Sequence, residues 1–153
     1  MKIRIIGGPG SGKTFLAEKL SKEYGIPHYD LDDIQWDNAS DHYGKKRDPH
    51  EREALLNDIP KRDGWIIEGV YYAWCKQSFD DADKIYLLSV PRCKYRCRII
   101  RRYFRRKLVM EKGKKESVKS VRALLKWADK YNTVNMAEIR SLLSEYNEKV
   151  TEQ

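Results

Sequence analysis

Short, nearly continuous apolar runs recur along the first part of the chain. They are residues 2–7 (Lys-Ile-Arg-Ile-Ile-Gly), Trp65-Ile66-Ile67-Glu68-Gly69 and Lys84-Ile85-Tyr86-Leu87-Leu88-Ser89-Val90. A half-solvated strand alternates apolar with polar residues, so runs of this kind predict strands of a parallel sheet covered on both faces. Between them the spacing lengthens to helical period. Residues 14–24 predict an amphipathic helix with Phe15, Leu16 and Leu20 inward, closed by Gly25 and Pro27. His28-Tyr29-Asp30-Leu31-Asp32 predicts a short second strand ending in acid.

From residue 33 to 63 the chain turns polar, with Asp41-His42-Tyr43-Gly44 and Asp48-Pro49 as turn signals and a helix predicted over residues 49–59. This segment is an excursion from the sheet. After Pro91 the pattern is helical to the end, with breaks expected near Gly113 and near Asn132-Thr133. In the first of these helices Cys93, Cys97, Ile100, Phe104 and Leu108 form an apolar stripe predicted to pack inward. Arg98, Arg102 and Arg105 form a second stripe about 120° away, pointing elsewhere.

Strands alternating with helices predict a doubly wound α/β sheet with right-handed crossovers. The 153 residues suffice for one domain and are too few for two plus a linker. No run reaches the roughly 18 apolar residues of a membrane span, and no signal-peptide pattern opens the chain, so a cytoplasmic protein is expected. Cys75, Cys93 and Cys97 lack a metal or redox spacing and are expected reduced and mostly buried. The net charge of +8 is local: residues 92–130 carry 16 basic and 3 acidic side chains, while residues 1–91 carry 13 and 16. That basic segment predicts an anionic partner, as small as a nucleotide or as large as a nucleic acid.

The densest chemical signal is Gly7-Gly8-Pro9-Gly10-Ser11-Gly12-Lys13-Thr14, which matches G-x-x-x-x-G-K-[ST] between a predicted strand and a predicted helix. In such a phosphate-binding loop the glycines let backbone N–H groups wrap a polyphosphate. Lys13 reaches the outer phosphates, and the Thr14 hydroxyl can ligate Mg²⁺. Gly8, Pro9, Gly10, Ser11, Gly12, Lys13 and Thr14 are therefore the candidate ATP-binding residues. No G-x-G-x-x-G dinucleotide fingerprint is present.

Ligands of doubly wound sheets gather at the carboxyl ends of the strands, and this places the loop, Asp30, Asp32 and Glu68-Gly69 on one edge. Asp32 is the first candidate, and Asp30 the second, to orient or deprotonate an acceptor hydroxyl and to serve the metal; if both lie on a strand they face the same side. Glu68 stands where some phosphate-loop proteins place a magnesium-ordering acid. No apolar run ends in Asp-Glu, which favours transfer to a substrate over hydrolysis. Trp36, Arg47, Arg52, Glu68 and Gly69 are the candidates for holding a planar or phosphorylated small-molecule acceptor. The basic segment reads as a solvated face, as a lid whose Arg98 and Arg102 close on a transferring phosphoryl group, or as a nucleic-acid surface interleaved with Tyr95, Tyr103, Trp127 and Tyr131. In the lid reading Lys112-Gly113-Lys114-Lys115 is its tip.

With these residues in view, the chain resembles the adenylate kinase-like branch of phosphate-loop kinases, and within it the bacterial DNA topology modulation protein-like group. The resemblance runs through residues 5–14, Tyr29-Asp30-Leu31-Asp32-Asp33-Ile34-Gln35-Trp36, Gly64-Trp65-Ile66-Ile67-Glu68-Gly69-Val70-Tyr71, and Val90-Pro91-Arg92 with Arg98-Ile99-Ile100-Arg101-Arg102. It implies a P-loop NTPase fold with a five-strand parallel sheet in the order 2-3-1-4-5, an acceptor-binding excursion over 33–63, and an arginine-bearing helical lid within 92–130. ATP and Mg²⁺ are the implied ligands, with Asp32 as the acid after strand two and Arg98 and Arg102 as lid arginines. Glu68 departs from the Asp common in relatives. Only Tyr146-Asn147-Glu148-Lys149-Val150-Thr151 stands where a fifth strand and final helix are expected, so the sheet has four strands in the order 2-3-1-4 or the sequence is shortened.

Overall fold

The computed structural model describes residues 1–37, 45–109 and 118–153, with side chains in the second stretch described through Arg105. The turn at residues 41–44, Leu108 and the basic tip at 112–115 lie outside the described side chains. Five parallel strands form one sheet in the order β2-β3-β1-β4-β5. They are β1 (Lys2–Gly7), β2 (His28–Asp30), β3 (Trp65–Gly69), β4 (Lys84–Leu88) and β5 (Val150–Glu152). Helix α1 (Lys13–Tyr24) follows β1, and α2 (Leu31–Gln35) and α3 (Pro49–Asp58) lie between β2 and β3. The short α4 (Gln77–Asp80) precedes β4, and α5 (Arg92–Val109), α6 (Val118–Lys130) and α7 (Met136–Leu143) fill the path to β5.

β1 is the centre. It pairs with β3 (Ile3 with Ile66, Ile5 with Glu68) and with β4 (Ile3 with Lys84, Ile5 with Tyr86). Successive side chains point to opposite faces. Ile3 and Ile5 pack with Ala17, Leu20, Ile66 and Leu88 against α1. Ile6 joins the larger core of Leu31, Trp65, Ile67, Phe79, Ile85 and Ile139 on the other face.

Arg4 is fully buried on that second face. Burying an unpaired cation is costly unless its donors are satisfied. Here the guanidinium donates to the carbonyls of Ile5, Ile67 (3.1 Å) and Tyr71 (2.8 Å) and lies over the Phe79 ring at 4.9 Å. It thereby pins the turn after β3 to the central strand.

Several expectations change at close range. Phe15 is exposed; the inward face of α1 is Ala17 and Leu20, with Leu16 at its margin, because Phe15 falls off that stripe. The second strand stops at Asp30, whose carboxylate accepts the Asp32 N–H at 2.8 Å and so starts α2. Asp32 is therefore a first-turn helical residue, and strand alternation does not relate it to Asp30.

On α5 the buried positions are Tyr95 and Ile99, with Tyr103 partly covered, packed on Val121, Leu124, Leu125 and Ala128 of α6. Cys93, Cys97, Ile100 and Phe104 are exposed, and Cys75 alone of the three cysteines is buried. The aromatic spine wins because it has a helix to pack on. The expected break near Asn132 is a π-helical turn, Tyr131–Asn135, that keeps the helix continuous. A short fifth strand exists, tied by backbone bonds of Gln153 with Leu87 and Ser89 and by the ion pair of Arg140 with Glu152.

Gly69 ends β3 where a Cβ would stand 2.8 Å from the Leu31 Cβ, an atom fixed to the backbone. Gly69→Ala is expected to lower stability by about 1–3 kcal/mol through overpacking, read as a fall in the urea midpoint at unchanged slope.

Candidate active site

Gly7 leaves the sheet and the chain doubles back before α1. Gly10 and Gly12 hold positive φ, 74° and 102°, which side-chain-bearing residues seldom adopt. Crowding adds to this at Gly10, where a Cβ would meet the Tyr95 carbonyl oxygen at 2.9 Å. Gly12 is the N-cap of α1, and Leu16 N–H to Gly12 is the first bond beyond it, so the amides of Lys13, Thr14 and Phe15 precede any helical acceptor. N–H groups at such a helix start favour anions.

A cleft of about 1020 Å³ opens over this loop. Pro9, Gly10, Gly12, Lys13 and Thr14 form one wall, Arg98, Arg102 and Arg105 of α5 another, and Asp30, Asp32, Asp33 and Trp36 a third. Glu68, Gly69 and Tyr71 close the floor, and Leu124 and Trp127 of α6 complete the rim. Gly8 lies at the edge of this set, packed on Asn132 and Tyr131 of the π turn. Ser11 is buried, its hydroxyl near Gly7.

Charge is sorted across the cleft. The Lys13 ammonium donates to the Gly8 carbonyl at 3.1 Å. Burial lowers its pKa, against the opposing pull of Glu68, Asp32 and Asp30. Thr14 donates its hydroxyl proton to Glu68 at 2.6 Å. Burial pushes Glu68 upward, yet His28, Lys13 and Thr14 together hold it below its usual value. His28 Nε2 lies 3.8 Å from Glu68, beyond hydrogen-bond length, so the raised pKa of this imidazole reflects the neighbouring carboxylate's charge. Asp30 is in register with Glu68 on the adjoining strand. Burial and then that repulsion raise it to about 6.

Arg98 reaches from α5 to the loop, donating to the carbonyls of Gly10 (3.1 Å) and Ser11 (2.8 Å). The arginine stripe therefore faces the phosphate loop beside the buried Tyr95–Ile99 spine. Two expected acceptor residues lie elsewhere. Arg47 donates to the carbonyls of Ile34 (3.2 Å) and Trp36 (3.4 Å), and Arg52 bonds Gln35 at 3.0 Å and stacks 4.3 Å over Trp74. Neither lines the cleft, whereas Trp36 does.

Sequence reasoning missed Tyr71, Lys46 and His28. Tyr71 donates to Asp32 at 2.8 Å, and its position two residues after the Gly69 turn was the available signal. Lys46 enters the cleft because Trp36 and Lys46 form an antiparallel bridge flanked by the bonds of Asp37 N–H to Lys45 and Arg47 N–H to Gln35. No local pattern announces a pairing across so polar a segment.

The donor set fits a hard cation that shares its coordination with phosphate. The oxygens of Thr14, Glu68, Asp30 and Asp32 are of the type Mg²⁺ prefers, and the repulsion between Asp30 and Glu68 would be relieved by one. Among the described residues no three His, Cys, Asp or Glu side chains form a closed cage.

These features define a phosphate-loop domain of the kinase type, and comparison with known proteins gives its family. Residues 6–107 match the AAA domain family (AAA_17), and the chain belongs to it. It is 30% identical over 142 residues to the uncharacterized protein YqaC of Bacillus subtilis, covering 91% of this chain and 76% of that protein. It is 32% identical over 117 residues to an adenylate kinase of Clostridium kluyveri, covering 60% of this chain and 54% of that enzyme. The chain thus spans about half the length of that kinase. A solved structure of an uncharacterized protein from Eubacterium ventriosum superposes with a TM-score of 0.53 at 18% identity, over 88% of this chain and 76% of that one, and shows the fold alone. Among the described residues no helix is long and apolar enough to cross a membrane.

Because Asp30 holds its proton more tightly folded (about 6) than in its ordinary state (3.8), stability falls as pH rises between these values and stays lower above them. Asn caps a helix as well as Asp does. In metal-free buffer Asp30→Asn is expected to be more stable than the parent by about 1 kcal/mol at pH 7.5, allowing for solvent screening, and indistinguishable near pH 3.5; urea melts at both pH values check this.

Proposed function

We propose that this chain transfers the terminal phosphoryl group of ATP to a hydroxyl of a small acceptor. One observation carries the reading: a single cleft gathers Pro9, Gly10, Gly12, Lys13 and Thr14 of the loop, Asp32 and the arginines Arg98 and Arg102 from distant parts of the sequence. Phosphoryl transfer asks a protein chiefly to position groups and offset charge. In this reading the loop amides and Lys13 hold the triphosphate, and Arg98 and Arg102 offset charge on the moving group. Asp32, held by Tyr71, orients the acceptor hydroxyl and takes its proton. Magnesium supplies charge neutralisation of the phosphates when bound; Thr14 would hold it, with Asp32, Asp30 and Glu68 as carboxylates near it.

The similarity to adenylate kinases supports the reaction class and leaves the acceptor open. ATP as donor agrees with a cytoplasmic site of action. The alternative, a nucleic-acid surface on residues 92–130, has less behind it. Arg92 and Arg96 pair with Asp129, and Arg98 with the loop, so part of the basic segment is already engaged within the protein.

Lys13→Ala should reduce ATP-dependent turnover at least about 100-fold and remove the calorimetric heat of ATP binding, with the circular dichroism spectrum unchanged. Full nucleotide affinity and product formation in that variant would refute the reading.

A further inference from the structure

The phosphate loop is gripped from behind at Gly8. The Gly8 carbonyl accepts the Ser11 N–H at 3.2 Å and the Lys13 ammonium at 3.1 Å, so the turn of the loop and its lysine both hang from one peptide. Gly8 does not hold a positive φ, and what restricts it is room. A Cβ there would stand 2.9 Å from Asn132 Nδ2, 3.1 Å from Asn132 Oδ1 and 3.1 Å from Tyr131 Cδ1. The Asn132 amide is itself tethered, since Nδ2 donates to the Ala128 carbonyl at 2.8 Å, and it cannot swing aside without breaking that bond. Tyr131 and Asn132 open the π turn, in which the Met136 N–H reaches back five residues to the Tyr131 carbonyl. Such turns are rare inside helices and are frequent at functional sites. This one has two further attachments: the Tyr131 hydroxyl donates to the Val70 carbonyl at 2.7 Å, and Asn135 Nδ2 donates to the Tyr72 hydroxyl at 2.9 Å. Val70 and Tyr72 flank Tyr71, which holds Asp32, so the π turn joins the loop to the segment that follows β3.

We infer that Asn132 is a positioning residue for the phosphate loop, seating Gly8 so that Lys13 and the loop amides meet a polyphosphate, and that the Tyr131 hydroxyl anchors the turn from which it acts; this rests on the nucleotide-binding part of the phosphotransferase reading. Neither side chain lines the cleft, so both act through the loop. Asn132 does so by filling the space behind Gly8. A preorganised site must be held to within about 0.5 Å by neighbours whose own side chains are locked, and the bond to Ala128 supplies that lock. With the space empty, the Gly8 peptide is free to recede and to carry the acceptor of the Lys13 ammonium with it.

Calorimetry with Mg²⁺ and a non-hydrolysable ATP analogue tests this, with circular dichroism checking the fold of each variant. Asn132→Ala is expected to weaken binding at least about fivefold, and Tyr131→Phe, which keeps the ring and removes the hydroxyl, at least about threefold. Gly8→Ala should weaken it at least about tenfold, because its methyl group collides with the amide. The combined variant decides. If Asn132 acts on Gly8 by contact, Gly8→Ala with Asn132→Ala binds at least about threefold more tightly than Gly8→Ala alone, since the methyl group takes up the space that the amide leaves. Two independent losses of stability would instead multiply and make the double variant the weakest of the set. A double variant no tighter than Gly8→Ala overturns the inference, as does unchanged affinity in Asn132→Ala or in Tyr131→Phe, and these last two variants carry the test alone if Gly8→Ala does not fold. The phosphotransferase reading falls separately, when the parent chain itself gives no heat with the analogue.

Discussion

The position of β1 between β3 and β4 is the constraint on which the molecule depends. Parallel neighbours cannot be joined by a hairpin, so each connection must cross the sheet and return, and every strand ends at the same edge. The loop after β1, the acid end of β2 and Glu68 of β3 meet there because the register places Asp30 beside Glu68 and Ile5 beside Glu68 in turn. Arg4 extends the same control to the opposite layer. Its buried guanidinium fixes the Tyr71 carbonyl, and the Tyr71 hydroxyl fixes Asp32, so a chain of contacts runs from the core of the central strand to the proposed acceptor acid.

Electrostatics then sorts the cleft. Lys13 is buried beside three carboxylates, whose attraction offsets part of its desolvation. Glu68 stays ionised in a buried position because Thr14, His28 and Lys13 surround it. Asp30 has no such set of donors and its pKa rises. Carboxylates within one strand spacing thus differ in proton affinity for reasons of neighbours, and the difference lies where a cation and a polyanion would be bound.

The helices after β4 act on the loop by close packing. Tyr95 approaches Gly10, Arg98 bonds the loop carbonyls, and the π turn sets Asn132 against Gly8. Tyr131, the first residue of the π turn, donates its hydroxyl to the Val70 carbonyl at 2.7 Å while Asn132 beside it lies against the loop. Gly10 is required for lack of room as well as for backbone freedom, whereas at Gly8 the constraint is room alone.

The sequence by itself determined the central strands, the phosphate loop and the helix after it, because continuous apolar runs and a glycine pattern are local signals of backbone geometry. It also pointed to Glu68, in the last positions of β3, and to Asp32, which it placed on a strand that in fact stops at Asp30. Tertiary structure decided which face of α5 is buried, since two amphipathic stripes competed and only contact with α6 could choose Tyr95 and Ile99 over Cys93 and Ile100. It decided that Asp32 begins a helix, that Arg47 and Arg52 brace the protein while Lys46 faces the cleft, and that residues 150–152 complete the sheet. Each of these depends on a partner distant in the chain, and periodicity along one segment holds no information about what that segment will meet.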